Sequence, residues 1–262
     1  MDYFLLAFCM HPCKSSNRFC TVSLSEIYTN LYFQKYAKKD ADLFCPDLIV
    51  FNTKDLTTLW TEIRYYDPHA DIPYWACVWP GGRALAKYIL DHLDLTEKRV
   101  LDFACGSGIS TLACACKGAI VTGIDIDPCA IIVANHTLQC NQRKAELLLM
   151  DLFSDLTMLN GPVHEIVEHD EGTTNDMEDI ANWIHQRYDI LVAADIFYHQ
   201  ALSLKLKKLI KYLRIPVYIS DPGRMYLPFD ILSPVHRYQI PVFKEIEGVN
   251  VREGTIYQKK IS

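Results

Sequence analysis

The stretch Val100-Leu101-Asp102-Phe103-Ala104-Cys105-Gly106-Ser107-Gly108 decides how the rest of this chain is read. A short apolar run ends in a turn of small residues, and residues 109–117 then continue as a helix that Gly118 closes. Such a strand-turn-helix brings glycine backbone to the N-terminus of a helix, where an anionic or polar ligand can approach closely. Glycine also serves tight packing, so this turn alone is a weak signal. It gains weight from Gly123-Ile124-Asp125-Ile126-Asp127-Pro128. Asp125 stands at the end of the next strand, about 20 residues on, where an acid accepts hydrogen bonds from ribose hydroxyls.

Outward from that centre the pattern alternates. Residues 99–103, 120–124, 146–150, 190–194 and 217–220 read as strands. Residues 81–92, 128–140 and 202–213 read as helices, the second with proline in its first turn. Buried, non-alternating strands separated by helices predict a doubly wound, Rossmann-like α/β sheet, mostly parallel. Residues 236–244 and 249–258 are successive strands with a turn near Gly248, and so predict an antiparallel hairpin at the sheet edge. Residues 48–51 read as a short strand. Residues 1–45 read as an N-terminal extension with a helical candidate at 24–38, which makes 46–262 the main domain.

Between residues 145 and 186 there is no Lys or Arg, while Glu165, Glu168, Asp170, Glu171, Asp176, Glu178 and Asp179 cluster there. The stretch at about 160–184 reads as a solvated acidic insertion, or as an acidic lip that attracts a basic protein. His164, His169 and His185 read as solvated within or beside it.

Composition narrows the classes. In 262 residues, half are apolar and 22% are charged, which excludes a disordered chain. The formal charge of −6 argues against a dedicated nucleic-acid binder. No run reaches the roughly 20 apolar residues of a membrane span. Ten cysteines without a regular framework point to reduced thiols in a cytosol-like compartment. Cys9, Cys13 and Cys20 lack the partners of a zinc site, and no metal is expected. Residues 3–10 lack the basic flank of a secretory signal, whereas residues 3–25 have a faint transit-peptide character. Residues 30–34 spell part of an engineered protease site, but Thr29 and Lys35 do not fit one, so the stretch reads as native.

The ligand can be narrowed too. The turn does not supply the G-x-G-x-x-G of a dinucleotide site. Asp102 suits a ligand with an ammonium group, as the methionine end of S-adenosylmethionine has. Asp151 and Leu152, after the third strand of the sheet, are placed to cap an adenine. S-adenosylmethionine is therefore expected over NAD.

Four ordered motifs then resemble a known family. They are Pro73-Tyr74-Trp75-Ala76-Cys77-Val78-Trp79-Pro80-Gly81-Gly82-Arg83-Ala84-Leu85, the turn above, Asp195-Ile196-Phe197-Tyr198 and Asp221-Pro222-Gly223-Arg224. Together they resemble the electron-transfer flavoprotein β-subunit lysine methyltransferases and their bacterial relatives, over roughly residues 46–257. The resemblance implies a seven-stranded class I methyltransferase, S-adenosylmethionine as donor, and a protein lysine as acceptor. The first candidate partner is the electron-transfer flavoprotein β subunit. It implies that Ala104, Gly106 and Gly108 line the methionine end, with Asp102 near its ammonium. Asp125 would then hold the ribose, Asp151 and Leu152 the adenine edge, Ile126 would also bind the cofactor, and Trp79 would pack beside it. Asp195 and Tyr198 match the D-x-x-Y motif and are implied as catalytic. Ala104 stands where the general pattern has glycine.

Two other acceptor classes fit related sequences: a nicotinamide-type amine and a ribosomal protein. A partner-docking module that binds the cofactor without catalysis is a third possibility, opposed by the intact acidic set. Compartment follows the source: cytoplasm for a bacterium, mitochondrial matrix for a eukaryote.

Overall fold

A computed structural model describes residues 23–154 and 174–260. The expectations placed on Cys9, Cys13, Cys20, His164, His169 and most of residues 3–25 lie outside those residues.

Helix α1 (Leu24–Leu31) starts at a capping box in which Ser23 and Glu26 satisfy each other's backbone N–H groups. It continues as a wider π-type helical segment, Tyr32–Tyr36, so the expected 24–38 helix runs to Tyr36 before strand β1 (Lys38–Ala41). β1 pairs antiparallel with β2 (Ile49–Asn52) in a small separate sheet. Tyr32 is buried, donates its hydroxyl to the Ala76 carbonyl at 2.9 Å and meets Trp75 edge-on. Helix α2 (Leu56–Tyr66), which the sequence did not announce, is capped by Asp55 and buries Leu59 and Ile63.

The main sheet holds β3 (Arg99–Phe103), β4 (Ile120–Asp125), β5 (Glu146–Leu149), β6 (Ile190–Ala194), β7 (Val217–Asp221), β8 (Leu232–Pro241) and β9 (Val251–Lys259). Their order is β5-β4-β3-β6-β7-β9-β8. The first five are parallel, and β9 enters antiparallel between β7 and β8, as the two-strand tail required. The direction of winding reverses between β3 and β6, which makes the carboxyl ends of these two strands the switch point where α/β sheets bind ligands.

Helices cover both faces of the sheet. On one side Val100, Val121 and Val192 pack with α3 (Pro80–His92) and α4 (Ile109–Cys116) through Leu85, Ile89 and Leu112. On the other, Leu101, Phe103 and Ile124 pack with α6 (Thr174–Arg187) and α7 (Gln200–Tyr212). Helix α5 (Pro128–Cys140) follows β4, and its first turn is capped by the Asp127 side chain on Cys129 N–H.

α6 corrects the solvated-insertion expectation over residues 174–187. Ile180, Ala181, Trp183 and Ile184 are buried at helical spacing, and the exposed acids Glu178 and Asp179 take the outer face. Among the described residues this segment is the helix that lies between β5 and β6 in the chain. The remaining acids at Glu165, Glu168, Asp170 and Glu171 lie outside the described residues. His185 is corrected as well: its Nε2 accepts the Arg214 backbone N–H at 2.8 Å, and burial lowers its pKa.

Candidate active site

Strands β3 and β6 end at the switch point, and the ends of β4, β5 and β7 flank them. After β3 the chain turns through Ala104, Gly106 and Gly108, all with positive φ (57°, 52° and 83°). Alternation puts Leu101 and Phe103 on the α6–α7 side. Asp102 therefore occupies the α3–α4 side, a place otherwise given to apolar residues. It is 1% exposed, and its Oδ2 accepts the Thr111 hydroxyl of α4 at 2.5 Å. Burial pushes its carboxyl up to about 7, partly offset by the Thr111 bond and reinforced by the Asp125 charge.

At the end of β4, Asp125 ties the turn down. Its Oδ2 accepts Gly106 N–H at 2.9 Å and its Oδ1 accepts Asp127 N–H at 3.0 Å. Burial raises its pKa and these backbone bonds lower it. Each carboxylate oxygen keeps a lone pair for another donor. Ile126, 71% exposed, follows directly. After β5, Asp151 accepts Phe153 N–H and the Ser154 hydroxyl. Leu152 is 1% exposed within the core, so its side chain offers no surface to a ligand, and only its backbone is left for the expected adenine edge.

At the end of β6, Asp195 takes a positive φ of 55° and is held from two sides. Its Oδ2 accepts Gly82 N–H at 3.1 Å, at the N-terminus of α3, where the helix dipole favours an anion. Its Oδ1 pairs with Arg224 Nη2 at 3.0 Å. Gly81 makes this approach possible, since a Cβ there would lie 2.8 Å from Asp195 Cγ and 3.0 Å from the Ser220 carbonyl. Burial pushes Asp195 up to about 6; Arg224 pulls it down and the Asp221 charge pushes it up. Asp221, at the end of β7, fixes Arg224 by accepting the N–H groups of Gly223 and Arg224.

A cleft of about 360 Å³ gathers Trp79, Asp102, Ala104, Gly106 and Asp195. Gly108 stands behind it as the residue before α4, and a Cβ there would lie 2.8 Å from Ala134. Tyr198 is outside the lining and 51% exposed, joined to the cleft through Tyr74. The Tyr74 ring lies 5.4 Å from Tyr198 and 5.7 Å from Trp79, whose Nε1 donates to the Tyr74 carbonyl at 2.7 Å. Partial burial, then neighbouring Tyr74 and Asp125, raise the Tyr198 phenol, which keeps its proton at neutral pH.

Sequence reasoning gave Gly81, Gly82 and Tyr74 no role beyond the motif that contains them, and for Arg224 it weighed a place in a turn against a substrate-side role. A Gly-Gly pair inside the first turn of a helix is a poor helix former, and that was the available sign of a close approach.

The protein family described as Ribosomal protein L11 methyltransferase (PrmA) matches residues 84–168, the part that builds the glycine turn and the Asp125 corner. The electron transfer flavoprotein beta subunit lysine methyltransferase of Homo sapiens is 34% identical over 171 residues, which cover 63% of this chain and 55% of that protein. The protein of that name from Danio rerio is 28% identical over 209 residues, covering 76% of this chain and 70% of its own length. This chain thus spans about half of the human relative and just over two thirds of the zebrafish one. The Ribosomal protein L11 methyltransferase of Actinobacillus pleuropneumoniae serotype 5b is 40% identical over 94 residues, 32% of each chain. The strand order and the acidic corner agree with these likenesses. The chain is a class I S-adenosylmethionine-dependent methyltransferase.

The likeness to the lysine methyltransferase of Danio rerio extends over 209 residues, that to the ribosomal-protein enzyme over 94. Among the described residues, no helix is long and apolar enough to cross a membrane.

Proposed function

We propose that this methyltransferase moves a methyl group from S-adenosylmethionine to the ε-amino group of a lysine in a protein, with the electron-transfer flavoprotein β subunit as its first acceptor. The observation that carries this is Asp195. The carboxylate of the D-x-x-Y motif lines the same cleft as the glycine turn, already held by Gly82 and Arg224.

The residues present fit the donor. A Cβ at Gly106 would meet nothing within 4 Å, so the turn leaves space where a ligand can lie against backbone. We assign Ala104, Gly106 and Gly108 to the methionine end, Asp102 to its ammonium and Asp125 to the ribose hydroxyls. Ile126, Asp151 and the Leu152 backbone take the adenine, and Trp79 packs alongside. When bound, S-adenosylmethionine supplies an electrophilic methyl carbon.

The acceptor side is the work of this chain's own residues. A lysine ammonium with a pKa of about 10.4 costs roughly 4 kcal/mol to deprotonate at pH 7.4. Asp195 attracts that ammonium into the cleft. Because Arg224 already pairs with Asp195, the second positive charge is only partly compensated there, which favours loss of its proton. The Tyr198 hydroxyl then accepts or donates a hydrogen bond that orients the free amine, and orientation supplies much of the rate. The described cysteines are all free thiols, in keeping with a reducing compartment, the cytoplasm or the mitochondrial matrix.

The test is a labelling assay with radioactive S-adenosylmethionine and two acceptors in parallel, purified electron-transfer flavoprotein from the source organism and nicotinamide. Label in the β-subunit band, lost in Asp195→Ala, supports lysine. Label in the small-molecule fraction alone moves the enzyme to small amines and overturns this assignment.

A further inference from the structure

Two short turns each hold one tyrosine out beside the Asp195 cleft. In the single turn Tyr74–Ala76, Trp75 and Ala76 are buried while Tyr74 is 43% exposed. After β6, Ile196 and Phe197 are buried while Tyr198 stays half exposed. The first turn is anchored from below. Its Ala76 carbonyl accepts the Tyr32 hydroxyl at 2.9 Å and the Thr53 N–H at 3.2 Å, and the Ala76 N–H donates to the Pro73 carbonyl at 3.0 Å. Tyr74 is therefore presented by a fixed base, and its ring is left over from core packing.

The Tyr74 and Tyr198 rings meet with their planes tilted by 41°, and Tyr74 also meets Trp79. Trp79 lines the cleft together with Asp195. The row Tyr198, Tyr74, Trp79 thus leads from the surface to the cleft wall. At its inner end the Arg224 guanidinium lies 5.9 Å from the Trp79 ring and pairs with Asp195. Single exposed aromatic residues are ordinary, but a contiguous row that ends at a buried carboxylate marks a binding surface.

The row matches the chemistry of one side chain. A lysine carries an apolar stem of four methylenes with a cation at its tip. Aromatic faces cover the methylenes and attract the ammonium as it passes, and the carboxylate waits at the end. The surrounding charge agrees, since Asp71 and Asp125 both act electrostatically on Tyr198. An anionic acceptor would be repelled by that field, and an amine without a stem has no part that spans the row. Resting on the lysine assignment above, we infer that Tyr74 is a specificity-determining residue, whose ring forms with Tyr198 the wall along which the methylene stem of the acceptor lysine lies.

The test is steady-state methylation of purified electron-transfer flavoprotein by Tyr74→Ala and Tyr74→Phe, with S-adenosylhomocysteine affinity by calorimetry and a melting curve for each variant. Tyr74→Ala removes the ring and keeps the backbone carbonyl that holds Trp79 Nε1. It is expected to raise KM about tenfold, as for roughly 50 Å² of apolar surface no longer covered, while kcat and product affinity stay within about threefold. Tyr74→Phe keeps the ring and is expected to bring KM back to within about twofold of the wild type. An unchanged KM in Tyr74→Ala overturns the wall. A fall in kcat alone overturns it too, because Tyr74 would then act only by placing Tyr198. Loss of product affinity and melting temperature together with KM makes the role structural and also overturns it. Failure of the lysine assignment shows separately, before any variant is compared: the wild-type enzyme then methylates no lysine, and the wall falls with that assignment.

Discussion

Gly106 and Gly108 sit two residues apart in one turn and are expected to fail in opposite ways. Both are left-handed, at φ 52° and 83°. At Gly108 a Cβ would lie 2.8 Å from both the Cα and the Cβ of Ala134 on α5. Gly108→Ala therefore adds backbone strain of about 1–2 kcal/mol to overpacking of about 1–3 kcal/mol, together about 2–5 kcal/mol. For a chain of this size that lowers the melting temperature by roughly 5–15 °C. At Gly106 a Cβ meets nothing, so Gly106→Ala carries the strain alone, and its melting temperature drops by roughly 2–6 °C. Its methyl group instead stands in the space that the proposal above assigns to the cofactor's methionine end. Displacing the ligand from one hydrogen bond there costs about 1–3 kcal/mol and weakens S-adenosylhomocysteine binding about 5- to 150-fold. Differential scanning fluorimetry and isothermal titration calorimetry on both variants make the comparison. The reasoning is refuted if Gly106→Ala binds like the wild type, or if Gly108→Ala melts like it.

Three further outcomes follow from the charged groups. Arg224→Gln removes the cation that pulls Asp195 down while Asp221 still pushes it up, so the Asp195 pKa rises above about 6. The acidic limb of the kcat/KM profile is expected to move to higher pH by at least about one unit, and an unmoved limb contradicts this. Asp102 has a pKa of about 7 in the free protein, and a bound ammonium lowers it. Cofactor binding then releases a proton, so affinity rises with pH, about tenfold between pH 6 and pH 8; calorimetry showing a flat dissociation constant and no proton release would count against it. Asp42→Asn leaves the Arg83 guanidinium buried without its counter-charge, a loss of about 3–5 kcal/mol read as a lower urea midpoint with unchanged slope.

Much of this molecule was legible because the deciding signals are local. A buried strand, a glycine turn, a helix and an acid at the next strand end follow one another within residues 99–125, and the doubly wound sheet is built by repeating that unit. The terminal strands could be read as a hairpin because only one short helical turn, Lys244–Glu247, separates them. What stayed hidden was carried by pairings between distant residues, or was masked by composition. Ile180, Trp183 and Ile184 form a helical apolar face, but seven acids in and around α6 gave the segment the look of a solvated loop. Leu56–Tyr66 is rich in threonine and aromatic residues, which weakens its helical signature. The Asp195–Arg224 pair joins residues 29 apart in sequence, and only the adjacency of β6 and β7 brings them together. Leu152 follows a strand end like Ile126 does, yet one is buried and the other exposed, a difference that local sequence does not encode.

The most direct measurement locates the transferred methyl group. Electron-transfer flavoprotein is incubated with the enzyme and a donor carrying a deuterated methyl group, and its β subunit is mapped by tandem mass spectrometry. The parallel reaction uses Asp195→Asn, first shown by calorimetry to bind S-adenosylhomocysteine within about threefold of the wild type. If Asp195 delivers a lysine to the donor methyl, the label sits on a lysine side chain and is absent with the variant. Label on another residue type, or undiminished labelling by Asp195→Asn, would contradict it.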